Sequence, residues 1–117
     1  MDLDLAKSQQ VTPLEIGSID DIPPGQGRCF TVKERSVAVF RTRNGRVFAL
    51  DNACPHRQGP LSEGVIGIDF VSRTEAVMCP FHSYKFSLRD GRGVDTELRV
   101  RSYAVKLRNG RILIALK

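Results

Sequence analysis

The sequence lacks most of the features that mark membrane-bound and secreted proteins. Within its 117 residues, no apolar run approaches the roughly 20 residues that a bilayer-spanning helix needs. The first residues, Met1 to Leu5, include two acidic side chains and no basic stretch ahead of an apolar segment, so we expect no secretory signal there. These absences predict a cytoplasmic protein that has no membrane partner.

Runs of basic residues are absent too, although basic residues are numerous. The chain has 18 Lys and Arg against 13 Asp and Glu, a net charge of +5, and acids such as Glu34 and Asp90 lie between the basic residues. Nucleic-acid-binding domains gather their basic side chains into a patch or stripe. We therefore expect no nucleic-acid partner. The scattered charge favours a solvated surface and leaves open a docking face for an acidic protein.

Cysteine and histidine are scarce, with three and two copies, and their positions are informative. An odd number of cysteines without a secretory signal argues against a disulfide framework and favours metal or redox chemistry. The order is Cys54-Pro55-His56, then 22 residues, then Cys79-Pro80-Phe81-His82. Each histidine thus follows a cysteine closely. The third cysteine, Cys29, stands apart and is predicted to be a small buried apolar residue.

Long helical periods are also missing, and short β-type segments take their place. Asn44-Gly45 separates residues 36–42 from 46–50, and Asn109-Gly110 separates 102–108 from 111–117. Asn-Gly between two β-type runs is a strong hairpin signal because both residues tolerate positive φ. A strand is predicted over 28–34 and a third turn at Asp90-Gly91. The sequence therefore predicts an all-β fold, an antiparallel sandwich or barrel.

The organisation predicted along the chain is simple. Residues 1–12 are polar and aperiodic, which predicts a flexible N-terminal lead-in. Residues 13–117 are of a length that forms one domain. Within it, residues from about 52 to 87 form the predicted functional insertion, which contains both Cys-His segments.

Each Cys-His segment offers one thiolate and one imidazole a few residues apart, which suits two kinds of metal centre. Zinc would take all four groups in a tetrahedron. A [2Fe-2S] cluster would take both cysteines on one iron and both histidines on the other. A zinc-finger loop usually contributes two ligands of one kind, whereas here each loop carries one of each. The spacing therefore favours the iron-sulfur cluster, with zinc as the alternative; the candidate ligands are Cys54, His56, Cys79 and His82.

The segments C-P-H-R-Q-G-P-L, starting at Cys54, and C-P-F-H-S-Y-K-F, starting at Cys79, resemble the ligand motifs of the Rieske family. The resemblance implies a Rieske-type antiparallel β fold with a cluster-binding loop subdomain, and one-electron transfer as the function. We expect Gly59 to allow close backbone approach to the cluster and Leu61 to shield it from water.

The ligand set and its surroundings predict a low potential within the Rieske range. The formal charges of two ferric ions, two sulfides and two thiolates sum to zero. A neutral cluster accepts an electron more readily than a negatively charged one, so histidine-ligated centres have reduction potentials of roughly −150 to +300 mV. High-potential members carry a disulfide where this chain has Gly59 and Phe81. They also carry hydrogen-bonding Ser and Tyr residues where it has Tyr84 and Phe86. Fewer donors to sulfur stabilise the reduced state less. We expect a potential near or below roughly 0 mV, within the range set by ligand type and hydrogen bonding.

Within the family, the sequence from about residue 14 to residue 114 resembles the small subunits of assimilatory NAD(P)H nitrite reductases. The long gap between the ligand pairs and the segment L-S-E-G-V-I-G-I-D carry this resemblance. It implies a large partner subunit that holds FAD, sirohaem and a [4Fe-4S] cluster and performs the substrate chemistry. A Rieske ferredoxin of an aromatic-ring dioxygenase system is the alternative, and a redox-sensing or assembly module is a third.

Overall fold

The computed structural model describes residues 13–55, 59–70, 72–81, 84–94 and 96–116. The predicted lead-in, residues 1–12, and the candidate ligands His56 and His82 lie outside these ranges. The described chain is all-β, as predicted, and its two 3-10 turns cover Ile19–Asp21 and Leu61–Glu63. In this part of the chain, no helix has the length and apolar character that crossing a membrane would need.

Six antiparallel strands form the larger sheet, in the order β1-β10-β9-β4-β3-β2. The edge strands β1 and β2 approach each other, because a Cβ added at Gly17 in β1 would lie 2.9 Å from the Phe30 ring in β2. The sheet therefore curls into a nearly closed barrel. Its strands are β1 (Leu14–Ser18), β2 (Gln26–Val32), β3 (Arg35–Arg41), β4 (Val47–Asp51), β9 (Ser102–Arg108) and β10 (Arg111–Ala115).

The predicted hairpins are confirmed. Arg41 pairs with Val47 across the β3–β4 turn, where Gly45 has a φ of 90°. Asn109 and Gly110 both take positive φ between β9 and β10, the geometry that a two-residue hairpin turn requires. The predicted turn at Asp90-Gly91 also forms, with Gly91 at a φ of 78°.

One strand boundary differs from the prediction. The strand predicted over 28–34 runs over Gln26–Val32, and Lys33 and Glu34 form the β2–β3 turn with φ values of 48° and 70°. Neither residue is glycine or asparagine, so composition gave no turn signal. The continuous pairing of β2 with β3, from Gln26 to Val32, fixes the turn at these two residues.

A second, four-stranded antiparallel sheet packs outside the barrel. Its order is β5-β6-β7-β8, so β5 lies at one edge of the sheet. The strands are β5 (Val65–Asp69), β6 (Thr74–Met78), β7 (Lys85–Ser87) and β8 (Gly93–Val94). This smaller sheet carries the second Cys-His segment between β6 and β7.

Strand β3 separates two cores because it is buried on both faces. Val37 and Val39 point into the barrel with Ile112 and Ile114, whereas Phe40 points outward against the smaller sheet. The outer core also contains Cys54 and Cys79. Burial of each large apolar side chain contributes roughly 1.5–3 kcal/mol, so this core holds the two ligand loops on a rigid base.

Candidate metal centre

The two Cys-His loops are closed in the same way. The first loop follows β4, and the Cys54 N–H donates to the Gly59 carbonyl over 2.9 Å. The second loop follows β6, and the Cys79 N–H donates to the Tyr84 carbonyl, also over 2.9 Å. Each cysteine therefore sits at the start of a loop whose ends are joined five residues apart.

Both cysteine side chains are buried in the outer core. The exposed fraction is 0% for Cys54 and 2% for Cys79. Leu61 and Phe86, both fully buried, belong to the same cluster of side chains. Leu61 is thus buried beside both cysteines, and its predicted shielding of the cluster from water stays a prediction. Burial of this kind keeps water away from a metal bound by the two thiols.

The backbone of the first loop lies directly against the second cysteine. A Cβ added at Gly59 would lie 3.2 Å from the Cys79 sulfur and 2.7 Å from the ring of Phe81. The structure thus brings the two loops together at the sulfur of Cys79. The close approach of Gly59 is therefore to the Cys79 sulfur and the Phe81 ring, and its predicted approach to the cluster stays a prediction.

Asn52, which was not among the predicted site residues, fixes the exit of the first loop. Its carbonyl accepts from the Leu61 N–H over 2.7 Å, and its side-chain Oδ1 accepts from the Ser62 N–H over 2.8 Å. Its own N–H donates to the Ser36 carbonyl. An asparagine at the end of a predicted strand, ahead of a loop, is the signal that could have indicated this arrangement.

A second polar group holds the strand that leads into the first loop. The Tyr103 hydroxyl donates to Asp51 Oδ1 over 2.5 Å, and Arg35 Nη1 lies 3.4 Å from the same hydroxyl. Burial raises the pKa of Tyr103, and the hydrogen bond to the Asp51 carboxylate raises it further. Tyr103 therefore remains a protonated donor and keeps the end of β4 in place.

Cys29 does not belong to this site, and its predicted burial is wrong. Its side chain is exposed, and its sulfur lies 3.0 Å from the Ser36 hydroxyl. Side chains of this strand alternate, with Val32 buried and Phe30 half-buried. Cys29 lies on the opposite, polar face of that alternation, so the strand pattern and not the residue type decides its exposure.

The described donor set suits a metal with sulfur ligands. Two buried thiols stand at adjoining loops, and His56 and His82 follow them by two and three positions in the sequence. Among the described residues alone, no group of three or more His, Cys, Asp or Glu forms a metal site, and both histidines lie outside that set. One thiol and one imidazole from each loop fit a [2Fe-2S] centre with mixed ligands.

A family model described as "Rieske-like [2Fe-2S] domain" matches residues 14–115. The chain belongs to this family. Its cofactor is accordingly a Rieske-type [2Fe-2S] cluster, and its role is electron transfer in an oxidoreductase system. Several curated relatives are much longer: the chain spans 14% of a cholesterol 7-desaturase from Xenopus laevis and 48% of a human Rieske domain-containing protein.

Solved structures of similar length share the fold. A nitrite reductase [NAD(P)H] small subunit from Erwinia carotovora is 30% identical, with 90% of this chain and 82% of that chain covered and a TM-score of 0.76. A candidate NADH-dependent nitrite reductase small subunit from Mycobacterium tuberculosis is 26% identical, with 92% and 96% covered and a TM-score of 0.84. The ferredoxin of carbazole 1,9a-dioxygenase from Nocardioides aromaticivorans is 31% identical, with 91% and 99% covered and a TM-score of 0.76.

Proposed function

We propose that Cys54, His56, Cys79 and His82 are the cluster ligands, one cysteine and one histidine from each loop. The two buried thiols at adjoining loops support this assignment. When bound, the cluster supplies one-electron transfer at a moderate potential. The chain itself excludes water through Leu61 and holds the first loop through Asn52. Residues 13–117 then form one Rieske domain, with the cluster-binding insertion at about 52–87 and residues 1–12 as its lead-in.

We further propose that the chain is the small subunit of an NAD(P)H-dependent nitrite reductase. The observation that carries this is the match to such a subunit over 92% of this chain and 96% of the other, with a TM-score of 0.84. A second such subunit and the dioxygenase ferredoxin both match with a TM-score of 0.76. The reduction of nitrite to ammonium would take place on a larger partner with FAD, sirohaem and a [4Fe-4S] cluster. The proposal includes a cytoplasmic location, where that partner would meet its nicotinamide donor.

An electron-carrying ferredoxin of a dioxygenase system is the second candidate. A ferredoxin of that kind is 31% identical to this chain and is covered over 99% of its length. The 22 residues between His56 and Cys79 count against it, because this gap is longer than is usual in dioxygenase ferredoxins.

The test is to tag the chain in its native cell, grown on nitrate, and to purify the complex that forms. NAD(P)H-dependent nitrite loss is then measured with the wild-type chain, with Cys54→Ser and with the matched control Cys29→Ser. We expect a flavin- and sirohaem-containing partner to co-purify with the chain. Its NAD(P)H-dependent nitrite loss should require the chain, should be lost with Cys54→Ser and should be kept with Cys29→Ser. Co-purification with an oxygenase, and electron delivery to it, would contradict the nitrite reductase assignment.

A further inference from the structure

The edge strand β5 carries apolar side chains that are exposed to solvent. The exposed fraction is 61% for Ile68 and 89% for Phe70, which follows the strand directly. In the described chain β5 pairs with β6 on one side only. Folded proteins usually protect an edge strand with charges, bulges or a covering segment. An apolar edge of this kind therefore indicates a surface that another chain covers.

A groove runs between β5 and the β3–β4 turn, and we call it the β5 groove. One cavity of about 430 Å³ lies between the apolar side chains of β5 and Arg43 of the turn. A second cavity of about 430 Å³ adjoins it, shares Ile68 with the first, and is lined by Arg73 and Arg89. The residues that define the β5 groove are Arg43, Ile68, Phe70, Arg73 and Arg89.

The β5 groove carries an excess of positive charge, because Arg43, Arg46, Arg73 and Arg89 outnumber the two acids that line it. Among the described residues, no carboxylate forms an ion pair with Arg43, Arg73 or Arg89. Two carboxylates also line the groove: Glu75 lies 3.2 Å from Arg46, which lines the second cavity, and Asp90 accepts from the backbone N–H of Arg92 over 3.0 Å and keeps its negative charge. The groove therefore combines an apolar floor with a basic rim.

The β5 groove lies at the end of the fold away from both cysteine loops. Strand β5 starts at Val65, which pairs with Met78 next to Cys79, and ends at Asp69, beside the groove. The β3–β4 turn likewise precedes β4, whose far end leads to Cys54. A chain bound in the groove would leave the cluster loops uncovered.

We propose that the β5 groove docks an extended segment of the larger partner subunit, in which an apolar side chain is flanked by carboxylates. This inference rests on the proposed function. Charge complementarity selects this occupant, since the apolar residue would cover Ile68 and Phe70 while the carboxylates meet the three arginines. A second copy of this chain docked groove to groove is disfavoured, because it would bring the same arginine rim against the first.

The test measures binding to the flavin- and sirohaem-containing subunit purified from the cell that carries this chain. Phe70→Ser and Arg73→Glu change the groove, whereas Lys106→Glu on β9 is the matched charge control. We expect at least about tenfold weaker binding for each groove variant, as for residues at the centre of an interface. The control should bind as the wild type does. Added salt should weaken wild-type binding more than that of Arg73→Glu.

The possible outcomes separate this proposal from the one on which it rests. Retained cluster absorbance in each variant shows that the chain is folded, as expected for Phe70 and Arg73, whose side chains are exposed. If both groove variants bind like the wild type, the docking proposal is overturned while the nitrite reductase function stands. If the wild-type chain binds no such subunit, both are overturned. The docking proposal would also be overturned if the isolated chain formed a dimer that Phe70→Ser dissociates, because the groove would then bind a second copy of this chain.

Discussion

The ring of Phe81 in the second ligand loop packs against the backbone of Gly59 in the first. A Cβ at position 59 would lie 2.7 Å from Phe81 Cδ2, closer than side chains tolerate. Rieske proteins of high potential resemble this chain at the ligands but join these two positions by a disulfide. Here a glycine–aromatic contact brings the loops together instead, so their association depends on packing.

Gly59→Ala should therefore weaken the site. The added methyl group would press on the Phe81 ring, which is exposed and can turn aside, and on the buried Cys79 sulfur, so we expect a cost at the low end of the about 1–3 kcal/mol that overpacking takes. We expect a lower melting temperature and a lower iron content per chain. Gly67→Ala is the matched control, because a Cβ there meets nothing within 4 Å. The double variant Gly59→Ala, Phe81→Ala should recover part of the loss. Equal iron content in Gly59→Ala and Gly67→Ala would contradict the packing argument.

Asn52→Ala should destabilise the first loop. The change leaves the Ser62 N–H without its acceptor, and Ser62 is only 8% exposed. An unsatisfied buried N–H costs about 1–3 kcal/mol. Urea unfolding followed by cluster absorbance measures the loss. Asn52→Asp keeps an acceptor oxygen at the same place, so it should retain most of the stability. Equal losses in the two variants would show that the hydrogen bond is not the cause.

The sequence could predict the features that local chemistry decides. Asn109-Gly110 specifies its hairpin because both residues accept positive φ, and the Cys54 and Cys79 segments specify the ligand loops through their motifs. The position of the Lys33-Glu34 turn depends on strand pairing, and the exposure of Cys29 depends on its place in the strand alternation. Residue type alone encodes neither. The Asn52 hydrogen bonds and the Gly59–Phe81 contact join segments that meet only in the folded chain.

The ion pair between Asp69 and Lys85 should make stability depend on pH. Lys85 Nζ lies 2.7 Å from Asp69 Oδ1, and this hydrogen bond, together with those from Ser72, lowers the pKa of Asp69 from 3.8 to about 2. A lowered carboxyl pKa stabilises the fold above about pH 4, and the contribution is lost as the pH falls from there towards 2.

The measurement is the difference in melting temperature between the wild type and Asp69→Asn, recorded from pH 6 downwards. We expect a constant difference above about pH 5 that shrinks as the pH falls below about 4. Glu15→Gln, which removes the exposed pair with Arg111, is the matched control and should cost little at any pH. A difference for Asp69→Asn that does not change with pH would contradict the ion-pair explanation.

The three cysteines should respond differently to the same substitution. Cys54→Ser and Cys79→Ser each replace a buried thiol in the outer core and should abolish the visible absorbance and the bound iron. They should also destabilise the loops, because metal binding contributes folding free energy. Cys29→Ser changes an exposed thiol next to Ser36 and should retain the full iron content. Full iron in either of the first two variants would contradict the ligand assignment.

The most direct test of the mixed ligand set is pulsed EPR on the protein with its cluster reduced. The protein is produced in cells supplied with ¹⁵N-labelled histidine. Two imidazoles bound to one iron of the cluster would give strong hyperfine coupling to the labelled nitrogen, and His56→Ala or His82→Ala would change or abolish it. We expect this coupling in the wild type. A reduced cluster without ¹⁵N coupling, or a signal unchanged in both histidine variants, would contradict ligation by His56 and His82.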